Sequence, residues 1–265
     1  MKNRKRRGGK NPDSQPRNKP PGGANRALRL YGVHPVAAAL ANPARACSRL
    51  TATSAALAGL RARLDGALDR DGLVIDEASR DEVARLLDDS AVHQGLVLDV
   101  APLPRPSFGE ICVSARAPRL LLLDRVNDPQ NLGAVIRVAA AFEAAAVIVP
   151  DRHAPEVGGA LAKAASGMLE RVPLLRVANI ARAIEQLQRR GYWCIGLDGG
   201  AEATIASATP DGAIALVLGA EGAGLRRLTR QRCDVILRLP ISDAVESLNL
   251  ATAAAVALYA LAKVK

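Results

Sequence analysis

From residue 120 to the carboxyl end, short apolar runs alternate with stretches whose apolar residues recur every three or four positions. That alternation predicts a mainly parallel sheet covered by helices. Leu120-Leu121-Leu122-Leu123, ending at Asp124, is the kind of run that is buried on both faces of a sheet. Further strands are expected at 146–150, 172–177, 192–197, 213–218 and 235–239. Between them, Leu132, Val135, Ile136 and Ala139 share one helical face, with Arg137 on another. A small-residue helix is expected over 156–165. Another carries Ile180, Ala183, Ile184 and Leu187, with Asn179 placed to cap it and Gly191 to end it.

Residues 30–101 read as a smaller alternating unit. A helix over 35–40 has Pro35 in its first turn, where a missing N–H costs nothing. A strand near 48–53 and a helix carrying Leu57, Leu60, Leu64 and Leu68 follow. Then come a strand at 73–75, a helix running to 87 from the capping box Ser79-Arg80-Asp81-Glu82, and a strand at 95–100. Prolines 102, 104, 106 and 118 should break any regular element, which makes 102–118 an interdomain linker. The chain thus divides into 1–28, a tail; 29–101, a small α/β unit; 102–118, the linker; and 119–265, a larger α/β unit.

Composition sharpens this picture in three ways. The hydrophobic fraction is 49% but aromatics are only 2%, so the core is built of Ala, Val, Leu and Ile. The net charge is +10, yet residues 1–29 hold ten Lys or Arg against one Asp, so nearly all of it lies in the tail. That tail has almost no large apolar residue and is expected to be a disordered arm that adds phosphate affinity by displacing counterions, or that only aids solubility. No apolar segment follows the charges as in a secretory signal, and the stretch 248–262 is too short to cross a bilayer. A cytoplasmic protein with no membrane partner is expected. Cys47, Cys112, Cys194 and Cys233 form no C-x-x-C pair, and His34, His93 and His153 have no metal-ligand spacing, so no metal site is expected.

Two breaks in the apolar pattern carry the candidate chemistry. Leu218-Gly219-Ala220-Glu221-Gly222-Ala223-Gly224 follows one expected strand; Leu239-Pro240-Ile241, running on to Ser247-Leu248-Asn249, follows another. Both should lie at carboxyl ends of strands, where open α/β sheets bind ligands. Glycine and proline there would let the backbone approach a ligand closely, and a pair of ordinary tight turns is the plainer alternative. The G-x-x-G-x-G spacing is not the G-x-G-x-x-G of a dinucleotide site, and no acidic residue about 20 positions on ends the next expected strand.

Taken with Asn127-Asp128-Pro129-Gln130-Asn131-Leu132-Gly133-Ala134-Val135-Ile136-Arg137, these two stretches resemble, in order, the three motifs of the SpoU (TrmH-type) branch of SPOUT RNA methyltransferases. Tyr31-Gly32-Val33-His34-Pro35-Val36 and Val92-His93-Gln94-Gly95 resemble that family's ribosomal-protein-like substrate-binding domain. The resemblance implies a parallel-sheet SPOUT domain with a deep trefoil knot behind a small RNA-binding domain. It also implies S-adenosylmethionine as cofactor, a homodimer, and 2′-O-methylation of a guanosine ribose in large-subunit (23S) ribosomal RNA. By position, Gly219, Leu239, Ile241 and Leu248 would hold the cofactor, largely through backbone groups. Asn131, Arg137, Glu221, Ser247 and Asn249 would line the reacting centre. An arginine side chain keeps its proton at neutral pH, so Arg137 is expected to stabilise a developing alkoxide or bind phosphate. Asn131 and Ser247 precede apolar runs and could instead cap helices. The chain departs from the family pattern at Val138, at Glu143 and Asp243 where glycine is usual, and at Leu250-Ala251. A transfer-RNA methyltransferase and a non-catalytic RNA-binding protein are the alternatives.

Overall fold

The computed structural model describes residues 28–64, 66–104, 106–113, 119–208, 212–242 and 244–262. The basic tail up to residue 27, the end of the linker and Asp243 lie outside the described residues.

The amino-terminal part builds a four-stranded sheet from β1 (Leu28–Tyr31), β2 (Cys47–Ala52), β3 (Val74–Glu77) and β4 (Leu96–Val100), in the order β1-β4-β2-β3. Only β2 and β3 are parallel. Helices α1 (Val33–Ala41), α2 (Ser54–Arg61) and α3 (Arg80–Ala84) connect them. The capping box opens α3 as expected: Ser79 Oγ accepts from the Glu82 N–H while Glu82 reaches back to the Ser79 N–H. Other expectations fail. Strand β1 was not anticipated: it begins at Leu28, directly after the polar tail. Helix α2 stops at Arg61, so Leu64 and Leu68 lie beyond it; Leu68 is still buried, held through the turns that follow. Helix α3 ends at Ala84 rather than at 87.

The prolines do not keep the linker irregular, since α4 (Phe108–Val113) forms between Pro106 and Pro118. Each proline removes one donor and restricts its own neighbourhood, leaving room for a short helix opened by Ser107 Oγ on the Glu110 N–H and by Glu110 on the Ser107 N–H.

The second sheet is wholly parallel. Its strands are β5 (Arg119–Leu123), β6 (Ala146–Pro150), β7 (Leu174–Val177), β8 (Trp193–Leu197), β9 (Ile214–Leu218) and β10 (Val235–Leu237), ordered β10-β8-β9-β5-β6-β7. Its helices are α5 (Pro129–Ala141), α6 (Gly159–Ala164), α7 (Ile180–Gln188), α8 (Arg227–Arg232) and α9 (Leu250–Leu261). Helix α6 and strands β7 and β10 are shorter than expected, and Asn179 and Gly191 hold the roles assigned to them: the Asn179 side chain accepts from the Arg182 N–H, and Gly191 has φ 82°. The chain goes from β5 outward through β6 to β7, crosses to β8, and returns to lay β9 against β5. The strand order therefore reverses between β5 and β9, which makes the region above their carboxyl ends the expected ligand crevice of an open α/β sheet.

The two sheets share one aliphatic core, and a charged seam joins them. Arg45, just after α1, lies against Glu170 with both side chains almost fully buried, at 3% and 5% exposure. Its Nη2 donates to Glu170 Oε1 at 2.6 Å, its Nη1 to the Ala101 carbonyl, and Asn42 Nδ2 to Glu170 Oε2. Close by, Gly167 turns with φ 84°, and a Cβ there would come within 2.6 Å of Ala38 and 2.9 Å of the His34 carbonyl.

Candidate functional site

The crevice is built from loops that their own sequence closes. After β5, Asp124 is completely buried, a position no carboxylate tolerates without partners. It accepts from the Arg226 N–H and Nε, each at 2.8 Å, and from Thr229 Oγ1 at 2.9 Å. The hydrogen bond to Asp124 raises the Arg226 pKa, against the opposing effect of burial. Asp124 thereby clamps the far end of the glycine loop to the end of β5. Sequence reasoning passed over this residue; the signal was an acidic residue closing a four-leucine strand.

The loop after β9 folds back on itself, with reciprocal bonds between Ala220 and Gly224. A Cβ at Gly219 would sit 2.0 Å from the Gly224 carbonyl carbon. The glycine is thus required by the loop's own closure, a different reason from the ligand approach expected of it.

That closure presents Glu221. Its Oε1 accepts from Asn131 Nδ2 at 3.1 Å, from Asn249 Nδ2 at 2.9 Å and from the Leu250 N–H at 2.9 Å. Asn249 Nδ2 also donates to Asn131 Oδ1 at 2.9 Å. Asn131 does not cap α5: Asp128 does, accepting from the N–H groups of Gln130 and Asn131. Nor does Ser247 cap α9, because Asn249 Oδ1 accepts from the Ala251 and Thr252 N–H groups. One carboxylate oxygen therefore ties together three segments 90 and 28 residues apart in sequence. A carboxylate near the amino end of α9 also suits the helix dipole.

The remaining expected residues are arranged differently. Ser247 is exposed and Leu248 half-buried on the irregular stretch leading to α9. Leu239 is half-buried, and Ile241 and Val245 are exposed at 37% and 48%. Among the described residues, the main-chain groups of Leu239 and Ile241 make no hydrogen bond to one another or to the rest of the chain, whereas Arg238 is bonded on both sides to Ala203 and Ile205. Free main-chain donors and acceptors beside exposed aliphatic groups, at strand ends, are groups that a bound ligand could engage. Arg137 is not gathered into the Glu221 cluster. It is exposed on α5 and lines a cleft of about 440 Å³ with Glu143, Ser166 and Arg171. Glu143 has φ 53°, the left-handed conformation that explains why glycine suits that position better.

Residues 118–259 match the SpoU rRNA Methylase family, and residues 29–106 match the family described as RNA 2'-O ribose methyltransferase substrate binding. The chain is 36% identical to the 23S rRNA (guanosine-2'-O-)-methyltransferase RlmB of Escherichia coli K12, over 87% of this chain and 96% of that one. It is 40% identical to the RlmB of Vibrio cholerae, over 87% and 94%. The fold is similar to that of the SpoU methyltransferase AviRb from Streptomyces viridochromogenes in complex with AdoMet, with TM-score 0.73 and 22% identity over 89% of each chain.

Proposed function

The chain belongs to the SpoU rRNA Methylase family, and on that premise we propose that it methylates the ribose 2′-hydroxyl of a guanosine in 23S ribosomal RNA, with S-adenosylmethionine as donor. The observation that carries this reading is the Glu221 node, where one carboxylate oxygen joins the loops that follow β5, β9 and β10. Bound S-adenosylmethionine supplies an electrophilic methyl carbon on a sulfonium. Everything else falls to the protein. Gly219, Leu239, Ile241 and Leu248 are the residues that would hold the donor, the last three beside the irregular backbone described above. Asn131, Glu221 and Asn249 fix the walls, so that oxygen, carbon and sulfur can be aligned without reorganisation. A dry, preformed site favours the step because charge is annihilated as the new O–C bond forms.

Ser247 and Arg137 are left to meet the ribose. Arg137 lies outside the cluster of its own chain, which fits a homodimer in which it serves the partner's site. Helix α9 is apolar nearly all round, yet Val256 and Tyr259 are exposed at 43% and 67%. Such a face calls for a second copy. Threading of the carboxyl-terminal segment into a knot belongs to the same reading, as does a cytoplasmic site of action. Among the described residues no helix is long and apolar enough to cross a membrane.

Transfer of labelled methyl to protein-free 23S RNA, with the ribose position mapped, tests the function; no transfer by dimeric, donor-binding protein would overturn it. Tyr259→Asp is expected to shift the sedimentation mass toward monomer and to abolish transfer, whereas an unchanged mass would remove α9 from the interface.

A further inference from the structure

Arg171 has been given no role so far beyond lining the cleft beside Arg137, yet it occupies a singular position. It lines the 440 Å³ cleft beside Arg137, and it also lines a larger cleft of about 1160 Å³ between the two sheets, whose walls include Tyr31, Arg85 and the start of the proline-rich stretch. It is the residue where these two concavities meet with an exposed cation.

The backbone on either side of Arg171 is fixed. Before it, Glu170 is pinned by Arg45 and Asn42, and the turn 168–170 is entered through Ser166 and Gly167, both left-handed at φ 50° and 84°. After it, Val172 is buried and the Pro173 carbonyl accepts from the Val147 N–H. A non-glycine residue held at positive φ costs about 1 kcal/mol or more and persists where its surroundings over-determine it. Here two such residues, Glu143 and Ser166, wall the same cleft as Arg137.

The side chain itself is uncommitted. Among the described residues Arg171 enters no ion pair, whereas Arg29 is paired with Asp99 and Arg45 with Glu170. Glu143 lines the smaller cleft and Asp88 and Glu156 the larger, where Asp99 and Glu170 are already paired with Arg29 and Arg45, so an anion must be met by Arg171 at the junction and not by the acidic walls on either side. We propose that Arg171 is a backbone-phosphate contact for substrate RNA, on the route the strand takes from the amino-terminal unit to Arg137. A free guanidinium fork binds phosphate in two-pronged fashion, and the fixed backbone confines the ordering cost to the side chain itself.

The inference rests on the methyltransferase reading, and the two can fail separately. Binding of a 23S RNA transcript is measured across a KCl series for the full chain and for Arg171→Ala and Arg171→Lys, with S-adenosylmethionine affinity followed by calorimetry. For Arg171→Ala the expected results are a rise of roughly tenfold in Kd and KM for RNA and a salt slope shallower by about 0.7–0.9, the signature of one lost phosphate contact. The rate at saturating RNA should stay within about twofold and donor affinity should hold. Arg171→Lys should restore the slope and part of the affinity. An unchanged slope, or loss of donor affinity along with RNA, overturns the assignment while leaving the function standing if the wild type still methylates. Wild-type protein that binds donor but no RNA overturns both.

Discussion

Two carboxylates hold this molecule together across long stretches of sequence, and they do so by opposite means. Glu170 at the seam is 5% exposed and answered by a buried guanidinium and an amide. Glu221 at the crevice is exposed and answered by two asparagine amides and one main-chain N–H. A buried charge demands its partner at all times, because removing either one leaves the other desolvated. An exposed carboxylate held by neutral donors can exchange them for water or ligand at little cost. The seam is closed to water, whereas the node at the crevice is held by bonds that water can reach.

Single substitutions should separate the two, and the largest effect is expected at the seam. Glu170→Ala or Glu170→Gln should lower unfolding free energy by about 3–5 kcal/mol, read by urea denaturation, since Arg45 is left buried and unpaired. A loss under 1 kcal/mol would mean that water reaches Arg45 and the comparison is false. At the crevice, Glu221→Ala removes the acceptor of three donors. It should cost only about 1–2 kcal/mol of stability, while methyl transfer falls by about 10²-fold as the loops lose alignment. Asn249→Ala, which deletes the cap of α9, should cost about 1 kcal/mol. The smallest stability change, under about 0.5 kcal/mol, is expected for Glu221→Gln, whose carbonyl still accepts. Comparable losses for Glu221→Gln and Glu170→Gln would erase the distinction.

What could be read from the sequence was what local rules determine. The four-leucine strand, the helical face of Leu132, Val135, Ile136 and Ala139, the Asn179 cap and the Ser79–Glu82 box each depend on residues within one or two turns of one another. Where the reading slipped, a local rule was applied too far: prolines were allowed to silence a six-residue helix they only flank, and leucine spacing carried α2 past its end. The candidate site was visible as three motifs but not as a node. Nothing in the spacing of Asn131, Glu221 and Asn249 says that one oxygen will join them. Arg45 and Glu170 were invisible for the same reason, being 125 residues apart. Asp124 could have been suspected, because an acid at the end of a fully buried strand has to find a partner.

The bond from Leu250 to Glu221 also sets an order of events at the chain's birth. Asn131 emerges from the ribosome with its companions still unmade, 90 and 118 residues behind. Until translation has passed the start of the last helix, the crevice lacks one of its walls, so a partly synthesised chain could fold its first sheet and still be inert.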